Sequence, residues 1–288
     1  VSFRGALDSR KFVVTSEIGP PKGIDVSEML EDAKLLSGRV DAINVTDLQS
    51  SVMRLGSLAT CHLLKEQGFD PIFQMTCRDR NRLALQSDLL NAAVLGIENV
   101  LALTGDHTSM GDHPQAKPVF DLDSVQLLQV IGKLQDGHDM VGNELKGAPK
   151  FCVGAVVNPG ADPIEPQIIK MEKKIEAGAG FFQTQGVYDL EAFEKFMERV
   201  ESFKVPILAG VILLKSAGMA KFMNKNVAGV FVPDDLIEEM AKADDRVRTS
   251  IEIAARLIRG LKDICQGVHI MPIGWEKRVP ALLDASGL

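Results

Sequence analysis

The 288-residue chain predicts an α/β fold, a single (β/α)8 barrel spanning residues 1–288, on three observations. Eight short apolar, β-rich runs recur along it, and most are separated by stretches whose apolar residues follow a helical period. Successive runs start mostly about thirty residues apart, the size of one βα unit, and eight such units close a barrel. A doubly wound open sheet would more often use about five to seven strands and a glycine-rich first turn, and no GxGxxG follows the first run.

The first run, Phe12 to Ile18, precedes a helical stripe of Met29, Leu30, Ala33 and Leu36. The second, Ala42 to Val45, leads to a stripe of Leu58, Cys61, Leu63 and Leu64. The third and fourth are Ile72 to Met75 and Asn99 to Leu103. After the fourth, Thr104 to Asp123 carries Gly105, Gly111, Pro114 and Pro118 with little apolar period, which predicts a long loop at the catalytic end of the barrel. Glycines 137, 142 and 147 mark a polar connection before the fifth run, Phe151 to Val157. The sixth is Gly180 to Gln185. The seventh, Pro206 to Ile212, lies inside the unbroken apolar segment Val205 to Leu214, as a parallel strand buried on both faces requires. Between it and the eighth, Val268 to Met271, the interval is long enough for an additional helix starting at Asp234-Asp235 behind Pro233.

With 45% hydrophobic and 25% charged residues the chain can bury a large core. Its net charge of -7, with both signs scattered, excludes a basic surface for nucleic acid, and Lys277-Arg278 is short enough to be solvated surface. Cys61, Cys77, Cys152 and Cys265 form no CxxC pair, which argues against a zinc ribbon or a dithiol site and suits a reducing compartment. No apolar run approaches the roughly 18 residues of a membrane span, and Val1 to Leu7 has no signal-like apolar region, so a cytoplasmic location is expected.

Polar residues at strand C-termini face the mouth of such a barrel. Glu17 stands there before Pro20-Pro21, suited to general-acid work, with pairing to a lysine as the plainer alternative. Asn44-Val45-Thr46-Asp47 and Gln74-Met75-Thr76-Cys77 bring hydrogen-bonding groups, which rim capping would also explain. Gly105 allows a close backbone approach just before Asp106, and Gln183 and Gln185 can donate and accept together at a heteroaromatic edge or simply cap the barrel. Lys173 and Lys174 sit near the end of the helix before the sixth strand, where they could complement the helix dipole or hold a phosphate. His107, Asp112 and His113 lack a standard zinc spacing, so no metal is expected. Lys215 is expected at the surface, at the start of a helix, rather than as a Schiff-base lysine.

Glu17 before Pro20-Pro21, Asn44-Val45-Thr46, Thr76-Cys77, Leu103-Thr104-Gly105-Asp106, Glu176-Ala177-Gly178-Ala179, Phe181 to Gln185 and Gly267-Val268-His269 follow one another in an order that resembles the methylenetetrahydrofolate reductase family. The resemblance covers the catalytic barrel alone, and no regulatory extension is expected after Leu288. It implies a flavin at the C-terminal face and reduction of 5,10-methylenetetrahydrofolate to 5-methyltetrahydrofolate by hydride transfer from reduced flavin N5. By the same resemblance Glu17 is the general acid, Asp106 lies between flavin and pterin, and Gln185 binds substrate. Thr46, Gln74, Thr104, Gly105, Asp106, Asn158, Asp162, Gln167, Lys173 and Lys174 fall at positions similar to the flavin-contacting set.

The departures fall at defined points. Gln74 stands where many relatives have histidine, and Asn158, Asp162 and Gln167 replace a tyrosine, a histidine and an aspartate, so FAD is expected with FMN open. Near Ser216-Ala217 the family aromatic that packs on nicotinamide or the folate ring has no equivalent, and Trp275 replaces a substrate-binding arginine. The electron donor is therefore NAD(P)H or a partner redox protein. The chain is expected to form a homo-oligomer or a complex with such a partner, and to use a folate substrate. The alternative from another class is a noncatalytic flavin- or pterin-binding subunit of a larger electron-transfer or methyl-transfer assembly.

Overall fold

Eight parallel strands pair in chain order, and β1 (Val13–Ile18) pairs with β8 (Gly267–Met271), so the sheet closes on itself without an edge. The computed structural model describes residues 2–9 and 11–288. Helix α1 (Phe3–Asp8) precedes β1, and α2 (Ser27–Lys34), β2 (Ala42–Val45), α3 (Ser57–Glu66), β3 (Pro71–Thr76), α4 (Arg82–Val94) and β4 (Asn99–Leu103) follow. Next come α5 (Ser124–Gln135), β5 (Cys152–Val157), α6 (Glu165–Glu176), β6 (Phe181–Gly186), α7 (Leu190–Val200) and β7 (Ile207–Ile212). The chain then runs through α8 (Ala217–Asn226), α9 (Asp234–Lys242) and α10 (Arg246–Leu261) to β8 and α11 (Val279–Ser286). Every strand lies where its apolar run predicts it. The additional helix is α9, which begins at Asp234 behind Pro233.

One end of the barrel is filled and the other is open. At the N-terminal end Val13, Ala42, Ile72, Leu101, Phe181 and Leu208 form an apolar plug, and α1 covers it, with Phe3 meeting the Phe181 ring edge-on at 5.1 Å. Gly154 is required here. A Cβ at that position would lie 2.2 Å from the Phe181 ring, so Gly154→Ala is expected to cost about 1–3 kcal/mol by overpacking, read as a lower midpoint in urea unfolding.

The C-terminal loops are tied to one another by charges. Asp112, in the long loop after β4, accepts from Lys22 after β1, from the Met53 amide at 2.9 Å and from His113, which together hold its carboxyl well below the usual range. The wholly buried Arg78 forms a forked pair with Asp79 and donates to the Leu48 carbonyl at 3.2 Å and the Asp106 carbonyl at 3.3 Å. These bonds fix the β2, β3 and β4 loops around the mouth.

Candidate active site

Alternation along β1 turns Val13, Thr15 and Glu17 inward, so Glu17 reaches the mouth while remaining only 8% exposed. Its partners are not lysines. Gln74 of β3 donates from Nε2 to Glu17 Oε1 at 3.2 Å, and His269 Nε2 of β8 lies 3.3 Å from the same oxygen. The β1–β8 register places His269 opposite Thr15, whose Oγ1 is 2.9 Å from His269 Nδ1. Gln183 Nε2 in turn donates to Thr15 Oγ1 at 3.2 Å, and the Gln183 and Asn44 amides form a reciprocal pair at 2.8 and 3.0 Å. Strands β2 and β6 are not neighbours, so that pair crosses the barrel interior.

A cavity of about 410 Å³ opens above this network. Glu17, Gln74, Gln183 and Gln185 line its floor and one side. Thr104, Gly105 and Asp106 form another wall, and Asn158, Gln167, Lys170 and Lys174 a third. Gly105 takes φ +92°, and a Cβ there would come within 3.0 Å of Thr76, so the backbone presents a close wall that a side chain would displace. Thr104 Oγ1 accepts from the Ser124 amide at 3.2 Å, at the start of α5. Asn158 spends its amide on the Ala228 carbonyl at 2.9 Å and the Gly160 amide at 3.3 Å, pinning the loop between α8 and α9 to the rim.

The two neighbouring lysines of α6 separate. Lys174 is 5% exposed, donates to the Val156 carbonyl at 2.6 Å, and is pushed down to about 8, chiefly by burial and then by the nearby Lys170 charge. Lys173 is exposed and points away, and Lys170 takes the second cationic place on the wall. Asp162 is also exposed and lies outside the cavity walls. Thr46 and Trp275 line a second cavity of about 640 Å³, which shares Glu17 and Gln49 with the first. Lys215 is half-buried rather than exposed, with Nζ 5.6 Å from the centre of the Trp275 ring.

Nucleophilic thiol chemistry is absent from this arrangement. All four cysteines are buried, and burial pushes Cys77 up to about 12 and Cys152 and Cys265 to about 11, so they remain thiols near neutrality. Among the described residues no three His, Cys, Asp or Glu side chains converge as a metal site. No described helix is long and apolar enough to cross a membrane.

Fold and site together define an α/β barrel in which the buried Glu17 carboxyl is shared by two cavities and the buried Lys174 lines one of them. Residues 2–287 match the family model for methylenetetrahydrofolate reductase, and the chain belongs to that family. It is 28% identical over 238 residues to methylenetetrahydrofolate reductase 2 of Schizosaccharomyces pombe, covering 74% of this chain and 35% of that protein. To the 5,10-methylenetetrahydrofolate reductase of Pectobacterium carotovorum subsp. carotovorum it is 26% identical over 206 residues, covering 69% of this chain and 63% of that one. The chain thus spans about a third of the first relative's length and under two thirds of the second's.

Among solved structures, an uncharacterized protein from Clostridium thermocellum that binds two copies of 5-methyl-5,6,7,8-tetrahydrofolic acid superposes with a TM-score of 0.63 at 19% identity, covering 98% of this chain and 96% of that one. A 2,3-dimethylmalate lyase superposes with a TM-score of 0.55 at 12% identity, over 99% of this chain and 86% of that one. At these identities both likenesses speak to the fold alone.

Proposed function

We propose that the chain is a flavin-dependent reductase that converts 5,10-methylenetetrahydrofolate to 5-methyltetrahydrofolate. The observation that carries this reading is Glu17, a carboxyl group shared by two cavities and held from behind by Gln74 and His269. Family membership supports it, and so does the folate bound by the Clostridium thermocellum protein of the same fold.

The residues present fit a flavin. Lys174 brings a buried positive charge to the cavity with Lys170 beside it, suited to an anionic phosphate, and the Gly105 backbone forms the close wall that a flat ring needs. When bound, the flavin supplies the hydride chemistry. FAD is the proposed form, with NAD(P)H or a partner redox protein as electron source. Glu17 gives its proton to the folate imidazolidine nitrogen, which opens the ring to the iminium that accepts hydride. Gln185 and Asp106, which both line the cavity, offer an amide and a carboxylate to the amino-pyrimidine edge of the pterin.

Two results are expected here. Because the free Lys174 titrates near 8, an anion bound beside it above that pH must be accompanied by proton uptake. The flavin dissociation constant should be flat below pH 8 and rise towards about tenfold per pH unit above it, and Lys174→Met should abolish that slope. Fluorescence titration at a series of pH values measures both. Secondly, no aromatic stands near Ser216-Ala217, shortly after β7, to pack on nicotinamide, so NADH alone should bleach the flavin slowly. Rapid bleaching without any partner protein would overturn that expectation and leave NAD(P)H as the electron source. The overall reading is tested by reconstitution: one flavin per chain supports it, and refusal of both FAD and FMN at high micromolar concentration ends it.

A further inference from the structure

Barrel interiors are usually filled by branched apolar side chains, yet the row beneath Glu17 holds Thr15, Asn44, Gln183 and His269, all at most 3% exposed. Buried polar groups of this kind are costly unless each finds a partner. These four do, and the partners fix a direction along the chain of bonds.

Gln183 Nε2 has two protons. One goes to Asn44 Oδ1 at 3.0 Å and the other to Thr15 Oγ1 at 3.2 Å, while Gln183 Oε1 accepts from Asn44 Nδ2 at 2.8 Å. The Thr15 hydroxyl accepts there and has one proton to give, which goes to the nearer of its two acceptors, His269 Nδ1 at 2.9 Å, rather than to the Val268 carbonyl at 3.5 Å. With Nδ1 accepting, the neutral ring carries its proton on Nε2, which faces Glu17 Oε1 at 3.3 Å. That oxygen then receives two N–H groups, from His269 and from Gln74 at 3.2 Å. In a carboxylic acid the doubly accepting oxygen is the carbonyl, so the acidic proton sits on Oε2.

We propose that Asn44 and Gln183 are positioning residues which, through Thr15, set the His269 tautomer that holds the Glu17 proton on the oxygen facing the folate. The proposal rests on the reading of Glu17 as the acid. Reversing both amides would turn Gln183 Oε1 towards Thr15 and draw the hydroxyl proton to it. His269 would then carry its proton on Nδ1, and its bare Nε2 would pull the Glu17 proton inward, away from substrate. The amide pair decides between the two states from the base of the cavity, which Gln183 lines and Asn44 does not.

Nitrogen-15 NMR of ring-labelled histidine in the flavin-loaded protein reads the tautomer directly, with His269→Gln assigning the signal among the five histidines. The parent should show a neutral ring protonated on Nε2. Gln183→Met and, independently, the near-isosteric Thr15→Val should lose that single tautomer, while Thr15→Ser should restore it. In stopped flow Thr15→Val, at a position that lines neither cavity, should lower the limiting rate of the folate half-reaction by about 100-fold or more, at unchanged folate KM, flavin content and rate of flavin reduction. A parent ring protonated on Nδ1 overturns the proposal, as does a Thr15→Val protein with the parent tautomer or the parent folate rate. Failure of the acid reading has a different signature: Glu17→Gln reoxidises at the parent rate, which removes the catalytic role of the relay even where the tautomer signals respond as expected.

Discussion

Glu17→Gln is expected to lower the folate half-reaction by about 100- to 10,000-fold, roughly 3 to 5 kcal/mol of barrier, while leaving flavin binding and flavin reduction intact. The substitution keeps the size of the side chain and an oxygen for the Gln74 donor, so the floor of the cavity keeps its shape. What disappears is the proton. A group that served only to hold β1, β3 and β8 together would behave differently, since folding, flavin content and both half-reactions would then decline in step. Stopped-flow measurement of the two half-reactions separates these outcomes, and a parent-like folate rate in Glu17→Gln would require another acid.

The largest effect on stability is expected from Asp47→Ala. The Asp47 side chain is wholly buried, and its Oδ2 accepts from the Thr76 amide and hydroxyl at 2.9 Å each and from Arg80 Nη1 at 2.7 Å, with Arg80 Nη2 3.2 Å from Oδ1. The carboxylate in turn pushes the Arg80 guanidinium up against the opposing effect of burial. Removing it strands a largely buried cation and two donors of Thr76, so a loss of about 3–5 kcal/mol is expected in urea unfolding. Asp88, 2.8 Å from Arg80 Nε, compensates only in part. The double variant Asp47→Ala with Arg80→Met should recover a share of that loss, because the uncompensated charge is gone. A loss below about 1 kcal/mol in the single variant would show that the network is solvated and does not organise the β2 and β3 ends.

The strands were legible because burial on both faces leaves continuous apolar runs, and the loop after β4 was legible because glycine and proline interrupt any period. Residues whose roles depend on contacts across the barrel were harder to read. His269 belongs to a recognisable Gly267-Val268-His269 signature, but its pairing with Glu17 depends on closure of the barrel between β1 and β8. A signal was nevertheless present: a histidine between Val268 and Ile270 in a parallel strand must face the opposite way from both, into the interior. The α6 lysines carried a similar signal. Gln167, Lys170 and Lys174 fall at i, i+3 and i+7 on one helical face, which lines the cavity, whereas Lys173 lies on another. Asp162 sits in a turn before α6, where no period fixes its direction.

A single turnover distinguishes a barrel that reduces a folate-bound one-carbon unit through a bound flavin from one that only binds these molecules. Protein reconstituted with FAD is reduced chemically under anaerobic conditions, mixed with 5,10-methylenetetrahydrofolate, and followed by its visible absorbance while the folate products are quantified. The expected result is return of the oxidised spectrum with one equivalent of 5-methyltetrahydrofolate per flavin. A flavin that stays reduced, or reoxidises without forming that product, would contradict the assignment.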